Sequence, residues 1–292
     1  MHPSAFEYSA PGTLDEALTL LDQLGEDGRV LAGGQSLIPM MKLRLASPGH
    51  LVDINGIAEL ASIRHENGNL VIGALARHAD VASSELVKGA NHTVSAAAQW
   101  VADPLVRNRG TVCGSLAHCD PEGDWNSVML AVGASVVARS ATGGERVIPH
   151  REFVVDYFTT SLVPGEMVTE VRVPAYGGPA GGTYLKLERK VGDYATVGVA
   201  THLVLDAGGR VAQAGIALTA VAGHNLAVPE AERVLVGELP GDAVFAEAAD
   251  VAARSCSPDS DVRGPADYKR AVVAAYTRRG LHQALAQARS AA

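Results

Sequence analysis

Cysteine is scarce in this 292-residue chain, which holds only Cys113, Cys119 and Cys256. Three thiols exclude a disulfide scaffold. The lack of any C-x-x-C pair argues against a cysteine-held zinc or iron–sulfur centre in this chain. Aromatic residues make up 4%, so the cores must be built from Ala, Val and Leu. A basic excess is also missing: Lys plus Arg number 24 against 32 Asp plus Glu, a formal net charge of −8 at pH 7. Such a balance does not suit nucleic acid or an anionic membrane surface, so any bound phosphate must be held by local backbone dipoles. The longest apolar runs, such as 128–138, are interrupted and too short for a membrane span. Residues 1–7 carry no basic-then-apolar leader pattern, and a soluble cytoplasmic protein is expected. Neither G-x-G-x-x-G nor G-x-x-x-x-G-K-[ST] occurs, which removes the main Rossmann and P-loop signatures.

What is present is ample apolar material, 47% of the residues, enough for two or three compact units. Thr13-Leu14-Asp15-Glu16 has the capping-box pattern, followed by Leu14, Ala17, Leu18, Leu21 and Leu24 at helical spacing and a stop at Gly25. Strands at 29–32 and 51–54 with a short helix at 37–45 complete a β-α-β-α-β pattern over residues 1–55. Residues 56–174 form a second unit. It has a strand at 69–73 after an Asn67-Gly68 turn, helices at 93–102 and 124–132, a hairpin around 142–144 and a strand at 167–173. Residues 107–124 show no period of either kind. The stretch 174–182 reads as a linker. Strands at 183–188, 196–205 and 210–221, the last two joined by Asp206-Ala207-Gly208-Gly209, precede helices at 242–256 and 265–288.

Three segments offer chemistry. In Leu31-Ala32-Gly33-Gly34-Gln35-Ser36-Leu37 an apolar strand runs into paired glycines and a helix start. Consecutive amides there can form a phosphate-binding nest, or the segment is a tight βα turn with Ser36 as N-cap. The stretch 107–124 supplies Arg107, Arg109, amides around Gly110 and Gly114, hydroxyls at Thr111 and Ser115, and carboxylates at Asp120 and Asp124. Its alternatives are a long surface loop, with Asp124 capping the next helix. A metal at His118-Cys119-Asp120 is disfavoured, since adjacent residues seldom converge on one ion. Neither Cys113 nor Cys119 sits in a recognisable activated pair. In the third segment Tyr184, Lys186 and Glu188 share one strand face, either a charged solvent face or a wall beside an electron-rich ligand.

Together these segments resemble the FAD-binding medium subunit of the molybdenum hydroxylases, most closely the aerobic carbon monoxide dehydrogenase branch of the xanthine dehydrogenase superfamily. Ala32-Gly33-Gly34-Gln35-Ser36 matches the family's first pyrophosphate loop. Thr111-Val112-Cys113-Gly114-Ser115 matches its second, with Cys113 where the family usually has glycine. The continuation through Asp120-Pro121 and Asp124-Trp125 also fits, as do Gly165-Glu166-Met167 and Lys186 with Asp193-Tyr194-Ala195. The resemblance implies an α+β fold: two N-terminal α/β FAD-binding subdomains, 1–55 and 56–174, plus a C-terminal domain of antiparallel sheet and helices, 183–288. It implies that residues 32–36 and 111–115 hold the diphosphate of a non-covalent FAD and that Asp124 meets the adenosine side. Leu162 and Lys186 would line the flavin region with Tyr194 near the ring, and Val101 and Asp120 complete the cofactor-binding set. If position 113 requires positive φ or close phosphate approach, Cys113 costs about 1–2 kcal/mol of strain.

The implied role is electron transfer. A large partner subunit would carry Mo-pterin and a small one two [2Fe-2S] clusters, in a dimer of heterotrimers. Electrons would pass through FAD here to an external acceptor, with no catalytic residue and no metal ligand in this chain. The competing readings are a self-sufficient flavin-dependent oxidase or dehydrogenase and a non-catalytic nucleotide-binding protein.

Overall fold

The computed structural model describes residues 2–176 and 178–290; Gly177, inside the expected linker, lies outside the described residues, as do Met1, Ala291 and Ala292. Among the described residues the chain builds three larger sheets in sequence order and one two-stranded ribbon. The first unit runs β1 (Glu7–Ser9), α1 (Leu14–Leu24), β2 (Gly28–Leu31), α2 (Leu37–Lys42) and β3 (His50–Asp53). Its strands are parallel, in the order β1-β3-β2. The capping box forms as the sequence predicts: Glu16 N donates to Thr13 Oγ1, and Thr13 N to Glu16 Oε2, each at 3.2 Å. Leu14, Ala17, Leu18 and Leu21 bury one face of α1, and Gly25 ends it at φ +55°.

The second unit opens with the hairpin β4 (Ile63–Glu66) and β5 (Asn69–Gly73), turned by Asn67 and Gly68, both at positive φ. Helices α3 (His78–Ser83), α4 (Glu85–Ala90), α5 (His92–Ala98), α6 (Pro104–Arg107), α7 (Val112–His118) and α8 (Asp124–Ala131) follow. The strands β6 (Ser135–Ser140) and β7 (Gly144–Pro149) form the expected hairpin. After α9 (His150–Phe153) come β8 (Val154–Asp156), β9 (Thr159–Thr160) and β10 (Met167–Pro174). The antiparallel order is β4-β5-β10-β6-β7. Residues 107–124 are therefore not one long loop. Asp103 caps α6 and Thr111 caps α7, but helices of 4 and 7 residues are too short to show a period. Nor does Asp124 cap α8: Gly123 holds that position, and all eight residues of α8 are buried rather than one face.

The third unit is the antiparallel sheet β11 (Ala180–Leu187), β12 (Val197–Leu205), β13 (Val211–Thr219) and β14 (Leu226–Ala227), followed by α10 (Pro229–Leu235), α11 (Asp242–Ser255) and α12 (Ala266–Ser290). Every residue of β12 is buried because both faces of the sheet are covered. The core around Val199, Leu203, Phe245 and Leu281 lies under α10 to α12, while Tyr184, Ala200 and Ala217 join the larger core shared with the first two units. The linker reading fails at its end. Gly181 and Gly182 are strand residues, and a Cβ on Gly181 would strike the backbone of α12 at Ala284, with Ala288 N at 2.7 Å. On Gly182 it would meet Thr93 of α5. The pair marks close approach of helices to both faces, not flexibility.

Burial also makes the fold acid-sensitive. His78, His150 and His202 are all under 5% exposed, and burial pushes their pKa values down to about 4, 3 and 4. A depressed histidine contributes stability that is whole above its unfolded value near 6.5 and is lost as pH falls toward the folded value. Each should cost roughly 2 kcal/mol between pH 6.5 and 5. Denaturant unfolding at pH 7 and pH 5 checks this; equal stability at both would contradict it.

Candidate functional site

One cleft of about 1070 Å³ runs between the first and second units and reaches the β11–β12 loop of the third. It stands at the upper end of ordinary ligand pockets. A shallower depression of about 350 Å³ along α1, lined by Asp15, Glu16, Thr19, Leu20 and Gln23, carries no converging functional groups. Of the sixteen residues singled out in the sequence, fourteen line the cleft: Ala32, Gly33, Gly34, Gln35, Ser36, Val101, Thr111, Cys113, Gly114, Ser115, Asp124, Leu162, Lys186 and Tyr194.

Two do not. The Val112 side chain is fully buried in the core, and its amide is occupied by Ala76 O at 3.3 Å. Asp120 turns to its own backbone, accepting from Glu122 N at 2.9 Å, and burial raises its pKa. Its neighbours diverge. His118 Nε2 is 3.8 Å from Asp120 Oδ2, whereas Cys119 Sγ bonds to Thr159 O. Among the described residues no group of three His, Cys, Asp or Glu could hold a metal ion.

The two glycine loops meet back to back at one point. Gly33 is buried, and a Cβ there would collide with Arg109 O and lie 2.7 Å from Gly110 Cα. Gly34 takes φ +72°, a conformation side chains resist. Among the described residues, the amides of residues 33–36 donate to no other backbone or side-chain acceptor. Ser36 stands at the N-cap of α2, yet its hydroxyl does not cap the helix. The first loop is thus a row of free donors at a helix start. The second loop is the N-terminus of α7, where Thr111 Oγ1 already accepts from Gly114 N at 3.1 Å. Cys113 has no strained backbone: it is helical, its side chain is 2% exposed, and its thiol points to Ile72 O at 3.6 Å. The strain contemplated for position 113 does not arise. Burial raises this thiol well above its ordinary range, which leaves it inert.

Asp124 and Lys186 occupy one place, not two ends of a ligand. Lys186 Nζ donates to Asp124 Oδ2 at 3.0 Å and to Trp100 O at 3.2 Å, with Glu188 Oε2 at 3.7 Å. Tyr184 OH donates to Asp124 Oδ1 at 2.7 Å. Burial pushes the Asp124 carboxyl up, while Lys186 and the Tyr184 hydroxyl pull against it. The residues that the resemblance assigns to the adenosine side, Asp124, and to the flavin side, Lys186, are thus direct partners in one buried group. Tyr184 and Lys186 share one face of β11, with Glu188 just past its end on the same side, but that face is turned to the interior.

Sequence reasoning missed several wall residues. His78 lines the cleft, and its Nδ1 accepts from Trp125 Nε1 at 3.0 Å. Gly110, whose amide the sequence did offer, lines it too, with His78 Nε2 2.8 Å from where a Cβ would stand. Phe158, Thr160 and Gly165 close one side. Gly110 lay in the stretch 107–124 and Gly165 in the motif before Met167; His78, the first residue of α3, gave no signal beyond a lone histidine.

The site thus has the form of a dinucleotide-holding flavoprotein module without a Rossmann signature. Residues 4–176 match the family described as the FAD binding domain in molybdopterin dehydrogenase, and residues 182–284 match the CO dehydrogenase flavoprotein C-terminal domain. The carbon monoxide dehydrogenase medium chain of Hydrogenophaga pseudoflava is 42% identical over 287 residues, 98% of this chain and 99% of that one. The 6-hydroxypseudooxynicotine dehydrogenase complex subunit alpha of Paenarthrobacter nicotinovorans is 38% identical, over 99% of this chain and 97% of its own length. A solved carbon monoxide dehydrogenase from Hydrogenophaga pseudoflava, lacking the Mo-pyranopterin moiety, superposes with a TM-score of 0.94 at 44% identity. That superposition covers 98% of this chain and 99% of the matched chain. The chain belongs to the family of FAD-binding medium subunits of the molybdenum hydroxylases. No helix among the described residues is long and apolar enough to cross a membrane.

Proposed function

We propose that this chain is the FAD-binding electron-transfer subunit of a molybdenum hydroxylase complex. The observation that carries the reading is the junction at Gly33, where two donor-bearing loops meet over one cleft. That cradle suits a diphosphate, because free amides and two helix starts supply positive potential inside a net acidic chain. Residues 32–36 and the α7 start, 111–115, would hold the diphosphate. Leu162 and Tyr194 would bound the ring system, and the Asp124–Lys186 pair would form a polar floor. When bound, the flavin supplies the redox chemistry between partner iron–sulfur centres and an external acceptor. The chain's own residues bind it, fix its position and screen it from water.

On this reading residues 1–55 and 56–174 are the two FAD-binding subdomains and 183–288 the C-terminal domain. The partners are a large Mo-pterin subunit and a small [2Fe-2S] subunit, arranged as a dimer of heterotrimers. Three buried free thiols support a reducing, cytoplasmic setting. The relatives' names span carbon monoxide and 6-hydroxypseudooxynicotine, which supports substrate choice by the large subunit rather than by this chain. Purification of the full chain tests the reading: non-covalent FAD, released by acid, is expected at close to one per chain. A folded chain that takes up no FAD on titration would contradict it.

A further inference from the structure

Two residues outside the cleft tie its two loops together. Asn55 follows β3, and its Nδ2 donates to Ala32 O of the first loop at 2.8 Å. Asp53 Oδ1 orients this amide, accepting from Asn55 N at 2.9 Å and from Nδ2 at 2.6 Å. Asn55 Oδ1 in turn accepts from Arg77 Nη2 at 2.6 Å. The other arm of the same guanidinium, Nη1, donates to Arg109 O. Arg109 O is the atom against which Gly33 is pressed, at the entry to the second loop. Backbone pairing extends the tie, for His78 N donates to Gly110 O at 3.0 Å and Arg77 forms an antiparallel bridge with Thr111. The bonded path therefore runs Ala32, Asn55, Arg77, Arg109, and it crosses from the first unit to the second.

We infer that Arg77 and Asn55 are positioning residues for the dinucleotide: they clamp the two loops at the separation the diphosphate requires, without lining the cleft themselves. The inference rests on the FAD reading above. Its physical basis is preorganisation. A cradle split between two units gains affinity only if both halves are held in place before the ligand arrives. A planar guanidinium suits this post, because its fork spans two acceptors in fixed directions where a lysine ammonium is a single point.

The test is an FAD titration of the full-length, deflavinated chain, with Arg77→Ala, Asn55→Ala, the double variant and Arg77→Lys. Each alanine variant is expected to raise the FAD Kd at least tenfold, about 1.4 kcal/mol. The double variant should be no worse than Asn55→Ala alone, because both changes cut one path. Arg77→Lys keeps the charge and disturbs the fold least, and should still lose at least threefold. ADP should lose affinity alongside FAD. The flavin-free proteins should keep a thermal midpoint close to the parent's, which separates positioning from general destabilisation. Unchanged affinity in Arg77→Ala and Arg77→Lys would overturn the inference, as would losses that add fully in the double variant. If the parent chain itself takes up no FAD, the functional reading fails first; if the parent binds and the variants match it, only the clamp fails.

Discussion

Replacing Gly33 with alanine or valine is expected to leave a folded chain that no longer retains FAD, with affinity down a hundredfold or more. The reason is steric and local. A Cβ at this position collides with Arg109 O and falls 2.7 Å from Gly110 Cα, and both obstacles are backbone. Neither can swing aside as a side-chain tip could. The strands behind the first loop must instead move away from the second loop, and the amides of residues 33–36 then no longer face the α7 start. A hundredfold loss equals about 2.7 kcal/mol, well within the cost of opening a close-packed junction. Gly89→Ala is the control. It lies in α4 with nothing within 4 Å of the new methyl, and helix propensity favours alanine there. Equilibrium dialysis against FAD, with far-ultraviolet circular dichroism to show retained structure, makes the comparison. Near-parental affinity in Gly33→Val would mean that the loop junction does not shape the cofactor site.

The second large effect concerns the floor of the cleft. Asp124→Ala should lower stability by about 3–5 kcal/mol, because it strands a buried ammonium. Lys186 has 1% side-chain exposure, and its remaining neighbours are Trp100 O and Glu188 at 3.7 Å. Tyr184 OH loses its acceptor in the same change. Spread over a chain of this size, the loss corresponds to a fall of about 10 °C in the unfolding midpoint. The triple variant Asp124→Leu, Lys186→Met and Glu188→Gln should recover much of that fall, since it removes the bonded pair and the carboxylate 3.7 Å from the ammonium together. Calorimetry of the single and triple variants distinguishes the cases. Equal destabilisation in both would show that shape, rather than the stranded charge, governs the site. The pair also joins units, with Asp124 beginning α8 and Lys186 standing on β11, so its loss should loosen the third sheet from the cofactor cleft.

How much of this was readable from residues alone follows a physical pattern. Features set by nearest neighbours along the chain were legible. The capping box at Thr13, the Asn67-Gly68 hairpin and the Asp206-Ala207-Gly208-Gly209 turn all formed, the last with Asp206 Oδ1 accepting from Gly208 N at 2.8 Å and Arg210 N at 2.9 Å. The first glycine loop was legible as a nest, because the positive φ of Gly34 and the free amides around it are local properties. What could not be read depends on partners distant in sequence. Cys113 stands where the family has glycine, but it lies inside α7, a helix too short to show a period, and so carries no strain. Gly181 and Gly182 looked like a linker because the helices that press on them come from residues far along the chain. Asp124 and Lys186 were each drawn into the site by motif, yet a pairing across 62 positions leaves no trace in either segment. Asn55 and Arg77 were overlooked for the same reason, since a residue that acts through a distant carbonyl carries no motif.

The central claim is that both loops hold one dinucleotide. A crystal structure of the full chain with FAD tests it most directly. The account predicts diphosphate oxygens within hydrogen-bonding distance of amides from residues 33–36 and from the start of α7 at once. A diphosphate bonded to only one of the two loops, or seated outside their shared cleft, would contradict it.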